Sequence, residues 1–383
     1  MSEKKVYEKL IEHAGNWILG IPDSDLLMQI FRLRFTPEEA EFLSGFPHRP
    51  HTIEELAERY KIPVDGLLEM IEPMLRKGLI YRVEGRSAVR YSFPDPLFFF
   101  YRMPGWKGKD DEFNRRISPL INRYYRDHMG ADFMGHPTMG LRAIPVAHTV
   151  EDTRHILPYE DILEYVDREE YHTVSICPCR HRHNLDPDFD TCQHETMNCL
   201  HFGRLGQYIV KNDMGKEISK EETLEILAAA ADAGLVHGIS NNRTGMDTIC
   251  NCCSCCCLFL EELRTDVPVF RGHQRSNYRL EIDHDTCKRC GLCVKRCPVD
   301  ALELREREDI PEPEAGAELK PKDRKEIVYN PDACIGCGVC AHSCPTGSLK
   351  LVRREGEEDI PENMSEAGIR MLRERNRDLS KVW

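Results

Sequence analysis

Apolar residues recur every three or four positions along much of the first hundred residues, a spacing that predicts amphipathic helices. Two of these helices are predicted to begin at Thr36 and Thr52, because each threonine precedes a glutamate by three positions, as in a capping box. A third helix is predicted to begin near Pro63. Its apolar residues at helical spacing are Leu67, Leu68, Ile71, Met74 and Leu75.

A β-hairpin is predicted directly after these helices. Residues 79–83 and 88–93 are rich in β-branched and aromatic side chains, and the polar stretch Glu-Gly-Arg-Ser separates the two runs. Three helices followed by a hairpin, over residues 30–93, resemble the winged helix-turn-helix domains.

The third helix of many such domains enters the major groove of DNA. Here that helix carries Asp65, Glu69 and Glu72 in the part that would meet phosphates. The resemblance therefore implies a structural or protein-docking module, and the acidic helix argues against DNA as a partner.

The pattern is less regular farther along the chain. The aromatic run 98–101 is interpreted either as a buried connector or as an exposed docking patch. A strand is predicted over 172–176, and a long helix is predicted from the capping box at Ser219 to the glycine-containing stretch 234–238. The charged residues 353–383 are interpreted as a helix or a mobile arm.

Composition points to metal binding, because 18 of the 383 residues are cysteine. The first residues lack the basic stretch and apolar run of a secretory signal, and no apolar stretch reaches the roughly 18 residues that span a membrane. We therefore expect a cytoplasmic location, where thiols stay reduced. The formal net charge of −13 argues against a general nucleic-acid binder, since neutralising phosphates requires excess lysine and arginine.

Two cysteine groups near the C-terminus share one spacing. The pattern Cys-x-x-Cys-x-x-Cys-x-x-x-Cys-Pro begins at Cys287 and again 47 residues later at Cys334. The flanking segments repeat as well, which predicts a duplicated strand–loop–helix–strand unit. This pattern resembles the bacterial dicluster ferredoxins over residues 278–352 and implies two [4Fe–4S] clusters.

Three thiolates at this spacing can surround one cluster on a tight loop, which Gly291, Gly336 and Gly338 would ease. The fourth cysteine of each group is expected to begin a helix pointing the other way, because the proline after it suits a helix start, and so to bind the other cluster. The expected ligands of cluster I are Cys287, Cys290, Cys293 and Cys344. Those of cluster II are Cys334, Cys337, Cys340 and Cys297. Zinc is disfavoured here, because its sites use CxxC pairs at longer separation.

The ten remaining cysteines lie in the middle of the chain and are candidate ligands of one or two further [4Fe–4S] clusters. One cluster could be held by Cys177, Cys179, Cys192 and Cys199. Another could be held by four of the six cysteines Cys250, Cys252, Cys253, Cys255, Cys256 and Cys257. A mixed arrangement is equally allowed, and structural zinc or redox-active dithiols are the alternatives. A histidine could replace one cysteine, the candidates being His181, His183, His194 and His201.

These patterns predict an α+β chain in four parts. We expect a winged-helix-like domain with an N-terminal helix over 1–105, a mostly helical Cys-rich domain over 106–265, a ferredoxin-like dicluster domain over 278–352 and a charged tail over 353–383. Residues 170–352 as a whole resemble iron–sulfur proteins of strict anaerobes, and that resemblance implies no substrate.

The sequence favours an electron-transfer protein, or the electron-transfer subunit of an oxidoreductase, over a complete enzyme. Its expected partner is a redox protein or a larger oxidoreductase complex that receives low-potential electrons. One alternative is an iron–sulfur oxidoreductase with a catalytic middle cluster. A second alternative is a redox-sensing winged-helix regulator, which the acidic third helix and the net charge oppose.

Overall fold

The computed structural model describes residues 2–85, 87–130, 132, 135–151, 156–157, 160–261, 272–309 and 321–381. The chain forms two compact units. Unit 1 comprises residues 1–138, 171–217 and 363–383, and unit 2 comprises residues 139–170 and 218–362.

The helices of the described residues are short to medium in length. In chain order they are α1 Glu3–Gly15, α2 Asp25–Arg34, α3 Pro37–Leu43, α4 Ile53–Tyr60, α5 Val64–Lys77, α6 Met103–Lys107, α7 Glu112–Tyr124, α8 Ile162–Arg168, α9 Pro178–Asn184, α10 Gly203–Lys211, α11 Lys220–Asp232, α12 Leu258–Glu261, α13 Leu292–Arg296, α14 Val339–His342 and α15 Met364–Glu374.

The strands have two to six residues each. In chain order they are β1 Tyr81–Glu84, β2 Val89–Ser92, β3 Leu141–Ala143, β4 His172–Ile176, β5 Met197–Phe202, β6 Gly215–Ile218, β7 Val236–Ser240, β8 Thr248–Cys252, β9 His273–Gln274, β10 Tyr278–Ile282, β11 Leu302–Glu306, β12 Lys325–Tyr329 and β13 Leu349–Arg353.

The helix starts expected in unit 1 are confirmed. Thr36 and Thr52 each cap a helix with a complete capping box, and the third helix begins at Val64 directly after Pro63. Strands β1 and β2 pair antiparallel from Tyr81 to Ser92, as the predicted hairpin requires. These elements occur in the order expected of a winged helix, and the assignment to that class of domain stays a prediction.

The aromatic run 98–101 is a buried connector rather than an exposed patch. It forms a π-helical turn in which all four side chains are buried. Phe99 is fully buried and its ring lies 5.7 Å from that of Phe31 and 5.2 Å from that of Phe35, so the run joins the core of the N-terminal helices.

Besides the β1–β2 hairpin, unit 1 contains strands in the order β6-β4-β5. The predicted strand 172–176 is confirmed as β4, which pairs antiparallel with β5. The buried face of α10 includes Ile209, which packs with Phe98 and Trp106 in one apolar cluster.

Helix α15 also lies in unit 1 and confirms that the charged tail contains a helix. Beyond its end, the Arg377 guanidinium donates hydrogen bonds to the carbonyl oxygens of Gly15 and Trp17. The tail is therefore hydrogen-bonded to the C-terminal end of α1 and to the segment directly after it.

Unit 2 contains a sheet in the order β8-β7-β3-β9 and helix α11, which begins with the predicted capping box at Ser219. The expectation that the middle region is mostly helical included the strand 172–176 but left out the other strands. The reason is visible in β7, Val-His-Gly-Ile-Ser, and β8, Thr-Ile-Cys-Asn-Cys, whose glycine, asparagine and histidine are poor strand signals.

The predicted duplicated unit is present in unit 2. Strand β10 pairs antiparallel with β13, and β11 pairs antiparallel with β12, while α13 and α14 follow the two cysteine loops.

One detail of the duplicated unit was predicted wrongly. The fourth cysteine does not begin a helix, because α13 ends at Arg296 and the next regular element of the described residues after Cys297 is strand β11. Only residues 298–301 lie between Cys297 and β11, which is little more than one helical turn.

No helix of the described residues combines the length and the apolar character that crossing a membrane would require.

Candidate metal centres

The eight cysteines of the duplicated unit line two separate cavities. One cavity is lined by Cys297 together with Cys334, Cys337 and Cys340. The other is lined by Cys344 together with Cys287, Cys290 and Cys293. Each cavity thus combines three thiols of one sequence group with the fourth thiol of the other group.

Left-handed glycines shape the loops that carry the first three thiols of each group. Gly291 has φ +74° directly before α13, and Gly338 has φ +79° directly before α14. A side chain disfavours this conformation, so glycine lets the chain turn back around the cavity. The third thiol of each group then sits in the first turn of the short helix.

Backbone amides point at the sulfur atoms in the same way in both repeats. The amide of Arg289 lies 3.4 Å from Sγ of Cys287, and the amide of Gly336 lies 3.4 Å from Sγ of Cys334. The amide of Ala301 lies 3.2 Å from Sγ of Cys297. Such donors offset negative charge on thiolate ligands, and soft thiolates with amide donors are the set that iron–sulfur clusters use. The residues present therefore fit a [4Fe–4S] cluster in each cavity.

Burial in these cavities makes the deprotonated form of the thiols unfavourable unless a cation is bound. Burial raises the pKa of Cys337 to about 12 and that of Cys293 to about 11. A bound metal ion reverses this preference, because coordination holds the ligand in its deprotonated form.

Cys344 differs from these thiols. Burial acts to raise its pKa as well, but hydrogen bonds from Ser348 and Thr346 outweigh that effect and lower it to about 7. The Ser348 hydroxyl lies 3.4 Å from Sγ and the Thr346 hydroxyl 3.5 Å. No sequence pattern singled out these two residues, although they occupy the loop directly after the Cys-Pro pair.

The two cavities differ in their surroundings. Cys290 is exposed, and Lys288 and Arg289 line its cavity. Cys337 in the other cavity is buried, and the hydroxyl of Tyr329 hydrogen-bonds to Cys334. The thiols of the cavity that contains Cys290 are therefore more exposed to solvent than those of the other cavity.

The six cysteines of residues 250–257 lie in unit 2, in β8 and in the residues directly after it. Cys252 is hydrogen-bonded to Cys250 and Cys257. The remaining three thiols, Cys253, Cys255 and Cys256, lie within 4.8 Å of one another, and the Sγ atoms of Cys255 and Cys256 are 3.5 Å apart. The choice of ligands among these six cysteines, and the mixed arrangement, stay predictions.

Strand geometry explains part of this arrangement. Cys250 and Cys252 end β8, where residues two apart share a face of the sheet. Asn251 faces the other way, and its Oδ1 accepts a hydrogen bond from Nδ1 of His237 at 2.7 Å. Neighbouring thiols and burial raise the pKa of Cys252 and of Cys256 well above the ordinary value. Such crowded thiols become ligands when a metal replaces their protons.

The four earlier cysteines of the middle region lie in unit 1. Cys177 caps α9 and is hydrogen-bonded to Cys179. The hydroxyl of Tyr101 lies 2.6 Å from Sγ of Cys179, a neighbour that no sequence pattern indicated across 78 positions. Cys192 lies in the loop after α9, where its amide donates to Asn184, and Cys199 is a buried residue of β5.

Three of the four candidate histidines hold hydrogen bonds to groups other than cysteine. Nε2 of His181 contacts the carbonyl oxygen of Lys109, and Nε2 of His183 contacts that of Asp190. Nε2 of His201 contacts the hydroxyl of Ser175, and burial lowers the pKa of His201 to about 3. His201 is therefore neutral at physiological pH.

Comparison with protein families identifies the C-terminal part. Residues 286–348 match a 4Fe-4S dicluster domain, and residues 326–378 match a second family described in the same words, 4Fe-4S dicluster domain. No curated protein matches the chain. The matched residues contain the eight cysteines of the two cavities from Cys287 to Cys344, and residues 286–378 form a ferredoxin-type 4Fe-4S dicluster domain.

Proposed function

We propose that this chain relays low-potential electrons through two [4Fe–4S] clusters, and one or two further clusters in its middle region, to a partner oxidoreductase. The observation that carries the proposal is the lining of two cavities by three cysteines of one repeat and one of the other. A [4Fe–4S] cluster supplies one-electron chemistry when bound.

The proposal assigns each of the eight cysteines of the duplicated unit to one of the two clusters. Cys287, Cys290, Cys293 and Cys344 would hold cluster I. Cys334, Cys337, Cys340 and Cys297 would hold cluster II. Because each repeat contributes to both cavities, the ligand loops are braced against each other, which supports a close and fixed spacing of the two centres.

Electron exchange with the partner would take place at cluster I. Cys290 is exposed, whereas Cys293, Cys297 and Cys337 are buried. Electron transfer weakens with distance, so a partner docks best where a ligand reaches the surface. Lys288 and Arg289 beside this cavity favour an acidic docking surface on the partner.

The middle cysteines would hold the additional clusters. The close contacts among the thiols of residues 250–257 support metal binding, since crowded thiols of raised pKa are poor packing choices but good ligands. Zinc is the alternative, because its Zn–S distance of about 2.3 Å also suits thiols less than 5 Å apart. Clustered cysteines that serve as metal ligands fit a compartment that keeps thiols reduced, so we propose that the protein acts in the cytoplasm.

Metal content tests the number of clusters. Iron, acid-labile sulfide and zinc are measured per chain after anaerobic purification of the full-length protein. About eight irons would restrict clusters to the dicluster domain, and about twelve to sixteen would support one or two further clusters. Zinc at one or two ions per chain with only eight irons would overturn the proposal for the middle region.

Ligand exchange between the repeats needs a separate test. EPR spectra of the reduced Cys297→Ser variant should lack the same centre as those of Cys334→Ser. Spectra of Cys344→Ser should match those of Cys287→Ser instead. If the Cys297→Ser spectrum matches that of Cys287→Ser, each repeat holds its own cluster and the assignment is wrong.

A further inference from the structure

A polar cleft in unit 1 has no cysteine among its lining residues. It has a volume of about 530 Å³ and is lined by the end of α5, strand β1, the end of α6 and one side of α10. A volume of this size falls within the range of roughly 300–1,000 Å³ that small-molecule sites occupy.

The cleft is more basic than the chain that contains it. Five cationic side chains line it, namely Arg76, Arg82, Lys107, Arg204 and Lys211. Its carboxylates are Glu72, Glu84 and Asp213. Against a net charge of −13 for the whole chain, this local excess of positive charge would concentrate an anion at the cleft.

The carboxylates neutralise some of these cations but leave others available. Glu84 pairs with both Arg82, at 3.3 Å, and Lys211. Glu72 pairs with Arg76 at 3.0 Å. Arg204 is exposed and forms no ion pair with any carboxylate in the described part of the chain.

Lys107 is the second available cation. Its ammonium donates to the carbonyl oxygen of Arg76 at 3.2 Å. Partial burial, with smaller effects of Lys109 and Arg34, lowers the pKa of Lys107, so an added negative charge would relieve an unfavourable environment. In addition, Nε of Arg82 is buried and has no hydrogen-bond partner within the described ranges.

An aromatic surface adjoins the cationic side of the cleft. The rings of Tyr81 and Tyr208 lie 4.7 Å apart at 52° and rest on Phe98 beneath them. Both tyrosines line the cleft and are half-buried. A planar heterocycle can stack on such side chains, while a phosphate group pairs with arginine and lysine.

We propose that this cleft binds a nucleoside monophosphate, with the phosphate held by Arg204 and Lys107 and the base against Tyr208. The combination of available cations, aromatic side chains and sufficient volume supports this class of ligand over a simple anion. A phosphate ion alone would use the cations but not the aromatic surface.

The test is calorimetric titration of the full-length, cluster-loaded protein with AMP, inorganic phosphate and adenosine as probes, at about 0.1 M salt. AMP should bind with a Kd below about 1 mM, and phosphate and adenosine should each bind at least about tenfold more weakly. Arg204→Gln should weaken AMP binding about tenfold or more. Tyr208→Leu should weaken AMP binding but leave phosphate binding unchanged.

Arg373→Gln is the matched control, because Arg373 is an exposed arginine of α15 in the same unit and outside the cleft. It should bind AMP like the wild type. Failure of AMP to bind, equal affinity for AMP and phosphate, or unchanged AMP binding by Arg204→Gln would each overturn the proposal. Displacement of AMP by duplex DNA would instead identify the cleft as part of a nucleic-acid surface and would also overturn it. Iron content per chain should be the same in all these variants, which separates this test from that of the clusters.

Discussion

The hydroxyl of Ser348 is placed to act on the proposed cluster I through Cys344. It lies 3.4 Å from Sγ of Cys344 and 2.7 Å from the hydroxyl of Thr346, so the two side chains form a small network at one ligand. A hydrogen bond to a ligand sulfur stabilises the more negative, reduced cluster and raises its reduction potential.

Ser348→Ala should therefore lower the reduction potential of cluster I. A hydrogen bond that is stronger by about 1 kcal/mol in the reduced state than in the oxidised state corresponds to a decrease on the order of 50 mV for a one-electron couple when it is removed. EPR-monitored redox titration of the variant measures the shift.

Ser343→Ala is the control for this variant. Ser343 lies beside Cys344 in sequence, but its hydroxyl donates to the backbone carbonyl oxygen of Val339 at 3.0 Å. The control should keep the wild-type potential. Equal shifts in both variants would contradict a specific role for the hydrogen bond to Cys344.

At this scale the sequence predicted the thiols but not their polar neighbours. The spacing of eight cysteines was sufficient to nominate two sets of four. The contact between Tyr101 and Cys179 joins residues far apart in the chain, so only the tertiary structure reveals it. Ser348 was detectable in principle, because it corresponds by the 47-residue repeat to Ala301, whose amide also reaches a cysteine sulfur.

Among the elements, the loop that carries the first thiols of the second repeat depends on Gly336. Its φ is +69°, and a Cβ at this position would lie 2.3 Å from the carbonyl oxygen of Tyr278 and 2.2 Å from the hydroxyl of Ser276. The amide of Gly336 also points at Sγ of Cys334. Strand β10 therefore lies so close to this loop that no side chain fits at position 336.

Gly336→Ala should prevent normal assembly of cluster II. Left-handed backbone costs an alanine about 1–2 kcal/mol, and the clash with backbone atoms of Tyr278 requires the loop to move. Iron content should fall by up to about four atoms per chain, measured together with the EPR signal of the reduced protein.

The variant Gly347→Ala separates the effect of the left-handed backbone conformation from the effect of the steric clash. Gly347 has φ +63°, but a Cβ added there would have no atom of the described residues within 4 Å, so alanine meets the conformational cost alone. This variant should keep a full set of irons. If Gly347→Ala loses iron to the same extent as Gly336→Ala, backbone conformation rather than close approach controls assembly.

Helix starts were predictable from local chemistry, whereas the strands of the middle region were not. The capping boxes at Thr36, Thr52 and Ser219 are short-range signals that the structure confirms. The strands β7 and β8 depend on pairing with each other, and their sequences contain few of the β-branched and aromatic residues that indicate a strand.

On the scale of the whole molecule, a buried ion pair stabilises unit 2. Arg142 and Glu160 have fully buried side chains and approach to 3.1 Å. Oε1 of Glu160 also accepts from the amide of Asn277, and the Arg142 guanidinium donates to the carbonyl oxygen of Asn242. The pair thus links strand β3 to the segments before β10 and after β7.

Arg142→Met should destabilise the protein by about 3–5 kcal/mol, because it leaves the Glu160 carboxylate buried without its cation. The double variant that also carries Glu160→Met should recover most of the lost free energy of unfolding. Urea denaturation followed by circular dichroism under anaerobic conditions measures both variants.

The surface pair Arg168–Glu164 provides the comparison. Its side chains are about half exposed and 3.7 Å apart, so Arg168→Met should change the free energy of unfolding by no more than about 0.5 kcal/mol. A similar loss in Arg142→Met and Arg168→Met would show that burial does not determine the effect.

The pH dependence of stability should include a contribution from His237. Burial lowers the pKa of His237 to about 4, whereas an unfolded histidine titrates near 6.5. Between these values the unfolded state binds more protons, so the free energy of unfolding falls as the pH falls through this window, by up to about 1.4 kcal/mol per pH unit.

His237→Gln should make stability less dependent on pH between about 6.5 and 4. Urea midpoints measured at several pH values within and above this window give the slope. His284→Gln, which alters an exposed histidine of the same unit, should keep the wild-type slope. An unchanged slope in His237→Gln would exclude this histidine as a source of the acid sensitivity.

The order in which the chain is synthesised has a consequence for unit 1. The Arg377 guanidinium donates hydrogen bonds to the carbonyl oxygens of Gly15 and Trp17, and α15 belongs to the same compact unit as α1. A ribosome therefore exposes the first helices long before the segment that completes their surroundings has been made. Unit 1 is complete only after residues 364–377 have been synthesised, and by then the residues that carry all 18 thiols have been synthesised as well.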